Sequence, residues 1–485
     1  DVQSIVTNGK IFQFRRVIIY VIISILYALV SFQRTCPSVV SAEMAKDYGI
    51  DKSKLSIFSS IFFYPYGLVQ PFAGLLSDIM EPSYVIGIMQ IISGVGAIIC
   101  GFSKNLGTGC VGRFLVGLGC GPTYVAVCRI ILAWFPLKYY SIMIGITIAI
   151  GGCGSIVSQG PLATLGELIG WRNCFYGIGG LGIVFSILCL IFVRGDPTKL
   201  NFEPVNKDLA SNAKEESTLK EKLQILGENF LHVVKYPWFW VVVVYAVFAN
   251  GPFFDISGMW VSPYLQDVLG YSKTKAGNTS IAISIGLVIG SLLIPPLSTF
   301  LKTRKWPCFV SSTISFVVSI VLYLVSKDKI NGVMIYFFLI FIGAFTNSLT
   351  SVCYPLVREY FHPSIAGTAV GCANIFTFLS SAVYQTISSK IIEKYGKVVE
   401  NGVEIDKYTE KGYKQGLWLV SFISFLVSMV AIAITKDTKP GAKKGPEEEI
   451  EEEEEHEAEE EEKGEIEPTK EDTGSDLSAW FVLLA

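Results

Sequence analysis

The chain has 485 residues, of which 51% are hydrophobic, 13% aromatic and 17% charged, and its mean hydropathy is +0.49. A soluble domain carries roughly 25% charged residues, so an ordinary soluble fold is not expected. The net charge of −3 conceals an acidic run at Glu447–Glu467, and no basic block marks a nucleic-acid surface.

Long apolar runs begin at Val17–Ser31 and recur as far as Leu417–Ile434. Several approach the ~20 residues that cross a bilayer core, where each backbone group must be satisfied internally, so the runs are read as helices. They place spans 1 to 6 at residues 14–36, 54–76, 83–103, 107–134, 139–164 and 172–194. A stretch rich in Lys, Glu, Asn and Ser, residues 196–236, follows as a cytoplasmic linker with a short surface helix around Thr218–Phe230. Spans 7 to 12 fall at 237–264, 275–299, 306–326, 331–357, 365–389 and 413–435. The expected organisation is thus a six-helix half at 1–195, the linker, a second half at 237–436 and a glutamate-rich tail at 437–485. That tail cannot bury enough apolar area to offset its ordering entropy and is read as disordered. The sharper alternative is a tail that binds a protein partner.

The first span is as long as the others and lacks a small-residue cleavage site, so it is read as a retained helix and not a signal peptide. The chain opens at Asp1 without a methionine, which leaves open whether the natural N terminus precedes it. Twelve spans put both termini on one side. Arg15–Arg16, Lys302–Arg304–Lys305 and Lys436–Lys439 weight that side with positive charge, which makes it the cytosolic one in a plasma membrane or an endomembrane. The long loop Lys390–Lys414 then lies outside.

Eleven cysteines are scattered without a CxxC, and His232, His362 and His456 share no ligand spacing. Neither a metal nor another cofactor is expected. No P-loop lysine motif and no GxSxG occurs, so neither ATP-driven pumping nor a hydrolase is expected.

The two groups of spans carry weak repeats. Gly67-Leu-Val in span 2 is echoed by Gly286-Leu-Val in span 8, and Val127-Cys128 with Phe135-Pro136 by Val352-Cys353 with Phe361-His362-Pro363. Six-plus-six repeats with a central linker seat substrate near the midplane between the halves.

Four motifs carry a family resemblance. Gly112-Arg113-Phe114-Leu115-Val116-Gly117-Leu118-Gly119 is followed by Ala133-Trp134-Phe135-Pro136, and Tyr66-Gly67-Leu68-Val69-Gln70-Pro71-Phe72-Ala73-Gly74-Leu75-Leu76-Ser77-Asp78 ends span 2. Gly170-Trp171-Arg172 precedes span 6, and Gly367-Thr368-Ala369-Val370-Gly371-Cys372-Ala373-Asn374 lies in span 11. Over roughly residues 10–437 the chain resembles the major facilitator superfamily, and within it the organic anion:cation symporter-like branch. The resemblance implies an all-α membrane protein, twelve transmembrane helices in two six-helix halves, and transport by alternating access. Three departures stand out. Gln33 and Cys120 occupy positions where that branch often carries the acids linked with proton coupling. The loop after span 2 reads Ile79-Met80-Glu81-Pro82 in place of basic residues.

A charge inside a span costs at least ~2.5–3.5 kcal/mol and needs a reason. Arg34, Arg113 and Asp255 lie at comparable depth and could share one water-filled cavity. The arginine fork suits carboxylate or phosphate, so Arg34 and Arg113 are candidates to hold an anionic substrate. The structural alternative has Arg113 pairing with helix ends or backbone carbonyls and Arg34 snorkelling to the surface. Asp255 follows Asn250-Gly251-Pro252, which loosens the helix ladder. It is either the coupling acid, for H+ or Na+, or a permanent ion-pair partner of Arg34. Tyr64, Tyr66, Gln70, Trp260, Tyr264, Asn374 and Gln385 complete the candidate substrate-binding set; Gly74 and Asp78 are candidate gate residues. Gly145, Gly151, Gly152 and Gly154 give span 5 a small-residue face for close packing and sliding.

The functional expectation is a secondary transporter of a small organic anion. The alternative is a non-transporting receptor or scaffold that keeps this fold and works through its acidic tail. The topology is testable at once. Tags placed after Lys439 and within Lys199–Lys222 should be reached only from the cytosol, and a tag in Lys394–Lys407 only from outside. Labelling of either of the first two in intact cells, with the third silent, would invert the orientation.

Overall fold

In a computed structural model the chain is described over residues 9–206, 219–400 and 403–438. The acidic tail therefore lies outside the described residues, except for its first two positions. The architecture is a bundle of long helices. Among the described residues, ten are long and apolar enough to cross a membrane: Lys10–Thr35, Pro82–Phe102, Leu106–Trp134, Ile142–Ile169, Trp171–Phe192, Pro237–Asp267, Lys273–Phe300, Lys305–Leu324, Ile365–Lys394 and Glu410–Ile434. Two further passages are broken. Span 2 runs as Leu55–Ser60, Phe63–Leu68 and Gln70–Ile79, and span 10 as Gly332–Ile342, a π-helical turn at Gly343–Asn347, and Ser348–Tyr360. These passages are consistent with twelve spans. The linker helix is described over Leu219–Lys235 and runs past Phe230, the end expected from the sequence.

Helices of this composition cannot be driven together by hydrophobicity while in lipid, so close backbone approach holds them. A Cβ added at Gly154 in span 5 would lie 2.1 Å from the Ala28 carbonyl oxygen of span 1, and one at Gly152 would lie 2.2 Å from Val288 of span 8. Span 5 is thus pressed against span 1 on one face and against span 8, from the other six, on the next. Gly145 meets nothing within 4 Å and takes no part.

The loops on the side away from the termini are more ordered than the sequence suggests. After span 1 the chain forms a helix at Pro37–Tyr48 that ends on Gly49, whose φ of +64° suits a residue without Cβ. The supposed long loop Lys390–Lys414 is structured too. Span 11 continues to Lys394, and an antiparallel hairpin follows, β1 Lys397–Glu400 and β2 Val403–Tyr408.

This hairpin crosses from the last spans to the first. Lys397 Nζ lies 2.5 Å from Asp51 Oδ1 and 3.4 Å from Asp406 Oδ1. Lys52 Nζ bonds the Asp406 carbonyl at 2.8 Å and Asp267 Oδ1 at 3.1 Å. The Ser53 amide donates to Tyr408 Oη at 3.2 Å. Beside them Lys273 pairs with Glu43 at 2.6 Å. Three cross-bundle ion pairs therefore clasp the far side shut. Lys52 and Asp267 are almost fully buried, so breaking one partner would strand a charge.

The pair at the rim gives a pH test. The Lys397 hydrogen bond and charge hold the Asp51 carboxyl below its ordinary value, against a smaller opposing effect of burial. The same hydrogen bond holds the Lys397 ammonium above its own. The Asp51 contribution is present above the ordinary carboxylate value and is lost as pH falls through the lowered one; that of Lys397 is lost only as pH rises through its raised value. Closure should be flat around neutrality and loosen at acid pH. Nitroxides at the exposed positions Lys104 and Lys329 would read this as a longer inter-label distance. Asp51→Asn should lower the closed fraction at neutral pH and blunt the acid response; an undiminished acid response would contradict the assignment.

Candidate substrate site

Spans 1, 5, 7 and 8 meet around a small central cavity of about 60 Å³. Span 1 contributes Tyr27, Ser31, Arg34 and Thr35; span 5 Ile148, Gly152 and Ser155; span 7 Phe253, Phe254 and Ser257; span 8 Ser284 and Leu287. Arg34 supplies the charge. Its Nη2 donates to Tyr66 Oη at 3.2 Å, and its guanidinium carbon lies 5.2, 5.4 and 5.7 Å from the ring centres of Tyr66, Phe254 and Phe378. Nε is buried without a hydrogen-bond partner. Among the described residues no carboxylate pairs with Arg34. Each ring contact is worth about 0.5–2 kcal/mol, so three of them and one hydroxyl keep the cation in place without neutralising it.

Arg113 occupies a different environment. It is fully buried, packs over Phe58 and Phe62 at 5.3 and 4.9 Å, and Nη1 donates to the Gln33 carbonyl at 2.8 Å. The cause is local. Pro37 has no N–H, so the carbonyl four residues earlier loses its helical donor, and Arg113 replaces it. Arg113 thus fixes the backbone next to Arg34 from behind and does not line the cavity. The sequence carried the signal in the four-residue spacing of Gln33 and Pro37.

Asp255 is also turned away. The helix runs through Asn250-Gly251-Pro252 unbroken and loosens only afterwards, as a π-helical turn at Ile256–Trp260. Phe253, Phe254 and Ser257 take the cavity side of this segment. Asp255 points to span 11 instead, where Ser388 Oγ donates to its Oδ2. It forms no ion pair with Arg34. The expectation that the three ionisable groups share one cavity does not hold: Arg113 is taken up by the Gln33 carbonyl, and Asp255 faces Ser388 of span 11 while Phe253, Phe254 and Ser257 form the cavity wall.

The remaining candidates divide. Tyr66 is buried against Arg34. Gln70 Nε2 donates to the Gly121 carbonyl at 3.1 Å, and Asn374 Nδ2 reaches Gln70 Oε1 at 3.4 Å, which ties span 11 to span 2. Gln385 Nε2 donates to the Phe254 carbonyl at 2.9 Å, beside the π turn. Tyr64 lies on an exposed stripe with Ile57, Leu68 and Phe72, at helical spacing, and is not brought to the site. Trp260 and Tyr264 sit nearer the far side, in a cluster with Tyr408, Tyr413 and Trp418. Gly74 lies within the last segment of span 2 with open space beside it, and the Asp78 side chain is outside the described residues. Sequence reasoning missed Tyr27 and Ser31. They precede Arg34 by seven and three residues on one helix face, so the spacing alone would have found them.

The family model described as Major Facilitator Superfamily matches residues 23–326 and 256–484. A probable sulfoacetate transporter of Cupriavidus necator is 22% identical over 384 residues, 77% of this chain and 87% of that one. A probable galactarate/D-glucarate transporter of Escherichia coli is 25% identical over 405 residues, 75% of this chain and 85% of that one. A probable hexose phosphate transport protein of Chlamydia trachomatis is 23% identical over 402 residues, 80% and 87% of the two chains. Among solved structures, a bacterial homolog of the human lysosomal transporter Spinster aligns with a TM-score of 0.65 at 17% identity, covering 86% of this chain and 96% of that chain. The chain belongs to the Major Facilitator Superfamily, as a multi-pass membrane transporter and not an enzyme.

Proposed function

We propose that this chain is a secondary transporter that carries a small organic anion by alternating access, with Arg34 holding the anion's acidic group. The observation that carries the reading is the Arg34 guanidinium: it faces the central cavity, has no carboxylate partner among the described residues, and leaves Nε unpaired. A fork of donors with one arm free is suited to a carboxylate, sulfonate or phosphate oxygen. Tyr66 and Tyr27 stand beside it as hydroxyl partners for the same group. The names of the relatives agree in charge: sulfoacetate, galactarate or D-glucarate and hexose phosphate are all anions.

A cavity of about 60 Å³ admits water but not a sugar acid, since ligand pockets run to roughly 300–1,000 Å³. The substrate must therefore enter a state in which the two sets of six spans have separated around Arg34. Spans 5 and 8 are the sliding contact, and the far-side clasp is the gate that must open. Termini in the cytosol of a plasma membrane or endomembrane, and coupling to H+ or Na+, complete the proposal.

The test is uptake into proteoliposomes of a panel of carboxylates, sugar acids and organophosphates. At least one should enter saturably. Arg34→Gln should raise its half-saturation concentration by roughly 10- to 100-fold, the loss of a charge-assisted hydrogen bond worth about 1.5–3 kcal/mol. Arg34→Lys should restore only part, because a point charge does not reproduce the fork. Wild-type uptake by Arg34→Gln would remove Arg34 from the substrate site, and no saturable uptake of any anion would favour the receptor or scaffold reading.

A further inference from the structure

Behind the central cavity, between spans 7 and 11, lies a second polar cluster. Asp255 is 1% exposed and Gln385 is fully buried. Ser388 Oγ donates to Asp255 Oδ2, while Asp255 Oδ1 and Gln385 Oε1 are both buried without a hydrogen-bond partner. The amide of Gln385 is fixed on the Phe254 carbonyl, one residue before Asp255, so its oxygen is held beside this turn. A carboxylate with one serine hydroxyl as its described donor cannot stay ionised in such a place, because desolvation far exceeds what one neutral hydrogen bond returns.

Among the described residues the surroundings offer no protein cation. Span 11 presents Tyr384, whose phenol shares a hydrogen bond with Ser424 of span 12 at 2.6 Å. Lys390, two residues past Ser388, is exposed. Residues 256–260 and Val420–Ile434 carry no ionisable side chain. In span 10, which also packs on span 7, Arg358 is exposed and Cys353, Tyr354, Glu359 and Tyr360 supply no positive charge. Neither Arg34 nor Arg113 pairs with Asp255.

We propose that Asp255, Ser388 and Gln385 form a site at which the carrier takes up a monovalent cation, a proton or a sodium ion. The groups it offers, the Asp255 carboxylate, the Ser388 hydroxyl and the unpartnered Gln385 amide oxygen, are oxygen donors of the kind a hard cation takes. The site is joined to the anion site through one peptide: Asp255 takes the cation, and the ring of Phe254 lies against the Arg34 guanidinium at 5.4 Å. Neutralising Asp255 settles the π turn and with it the wall of the cavity, so cation and anion report to each other across that turn. The existence of the site is independent of the transport reading; its role as a coupling site deepens that reading and rests on it.

The test is a melting experiment on the purified full-length protein, which requires no substrate. In one arm sodium chloride replaces choline chloride at alkaline pH; in the other, pH is varied in choline chloride. A bound cation stabilises by mass action. A sodium-dependent rise in Tm that saturates in wild type and is lost in Asp255→Asn identifies sodium. No sodium effect, with a wild-type Tm that falls as pH rises and an Asp255→Asn Tm that does not, identifies the proton. Identical responses of wild type and Asp255→Asn in both arms overturn the site. Ser388→Ala keeps the carboxylate and covers the case of an unstable Asn variant: it must shift the midpoint of whichever response wild type shows, and an unmoved midpoint also overturns the proposal. Cation binding without uptake of any anion would sink the transport reading and leave this one standing.

Discussion

A guanidinium held at the centre of a membrane bundle with no counter-charge among the described residues is the feature on which the rest of the structure depends. Arg34 is retained by three aromatic faces and one tyrosine hydroxyl, which offset part of its cost and leave its charge available. The rings come from spans 2, 7 and 11, and the cavity walls from spans 1, 5, 7 and 8. The arginine therefore stands at the contact between the first six spans and the last six. Anything that binds it senses both groups, which is the requirement for a substrate that moves one against the other.

The other polar groups in the spans mostly repair backbone that the sequence has deliberately left open. Pro37 frees the Gln33 carbonyl, and Arg113 fills it. Beside the π turn of span 7 the Phe254 carbonyl is met by the Gln385 amide. Both repairs sit one residue from a residue assigned a role by proposal, Arg34 in the first case and Asp255 in the second. Interrupted helices and their repairs thus fix Arg34 and the buried carboxyl of Asp255 in place on either side of span 7. Irregular backbone at this depth is tolerated because it is enclosed by protein and not exposed to lipid.

Much of the fold was legible in the sequence. The apolar runs place the spans to within a few residues, since bilayer thickness sets their length, and the span-4 and span-2 motifs point to the family. The site was legible in part. Arg34 is a charge in an apolar run, which its cost alone singles out, and it lines the central cavity. Helical phase is harder to read: depth put Arg34, Arg113 and Asp255 together, whereas the side chains of Phe254 and Asp255 diverge by about 100° and send the acid to span 11. Tyr64 and Tyr66 are equally aromatic, and only packing shows one on the exposed stripe and the other on the arginine. The hairpin at Lys397–Tyr408 was hidden because polar residues in a long connection look like loop, and its order comes from Asp51, Lys52 and Ser53, which lie far away in sequence.

The most direct measurement of the central claim is an experimental structure of the protein with a transported organic anion bound. The account predicts the acidic group of the ligand within hydrogen-bond distance of the Arg34 guanidinium, beside the Tyr66 and Tyr27 hydroxyls, in a cavity enlarged by separation of spans 5 and 8. An anion found elsewhere, with Arg34 still enclosed by Tyr66, Phe254 and Phe378, would contradict it.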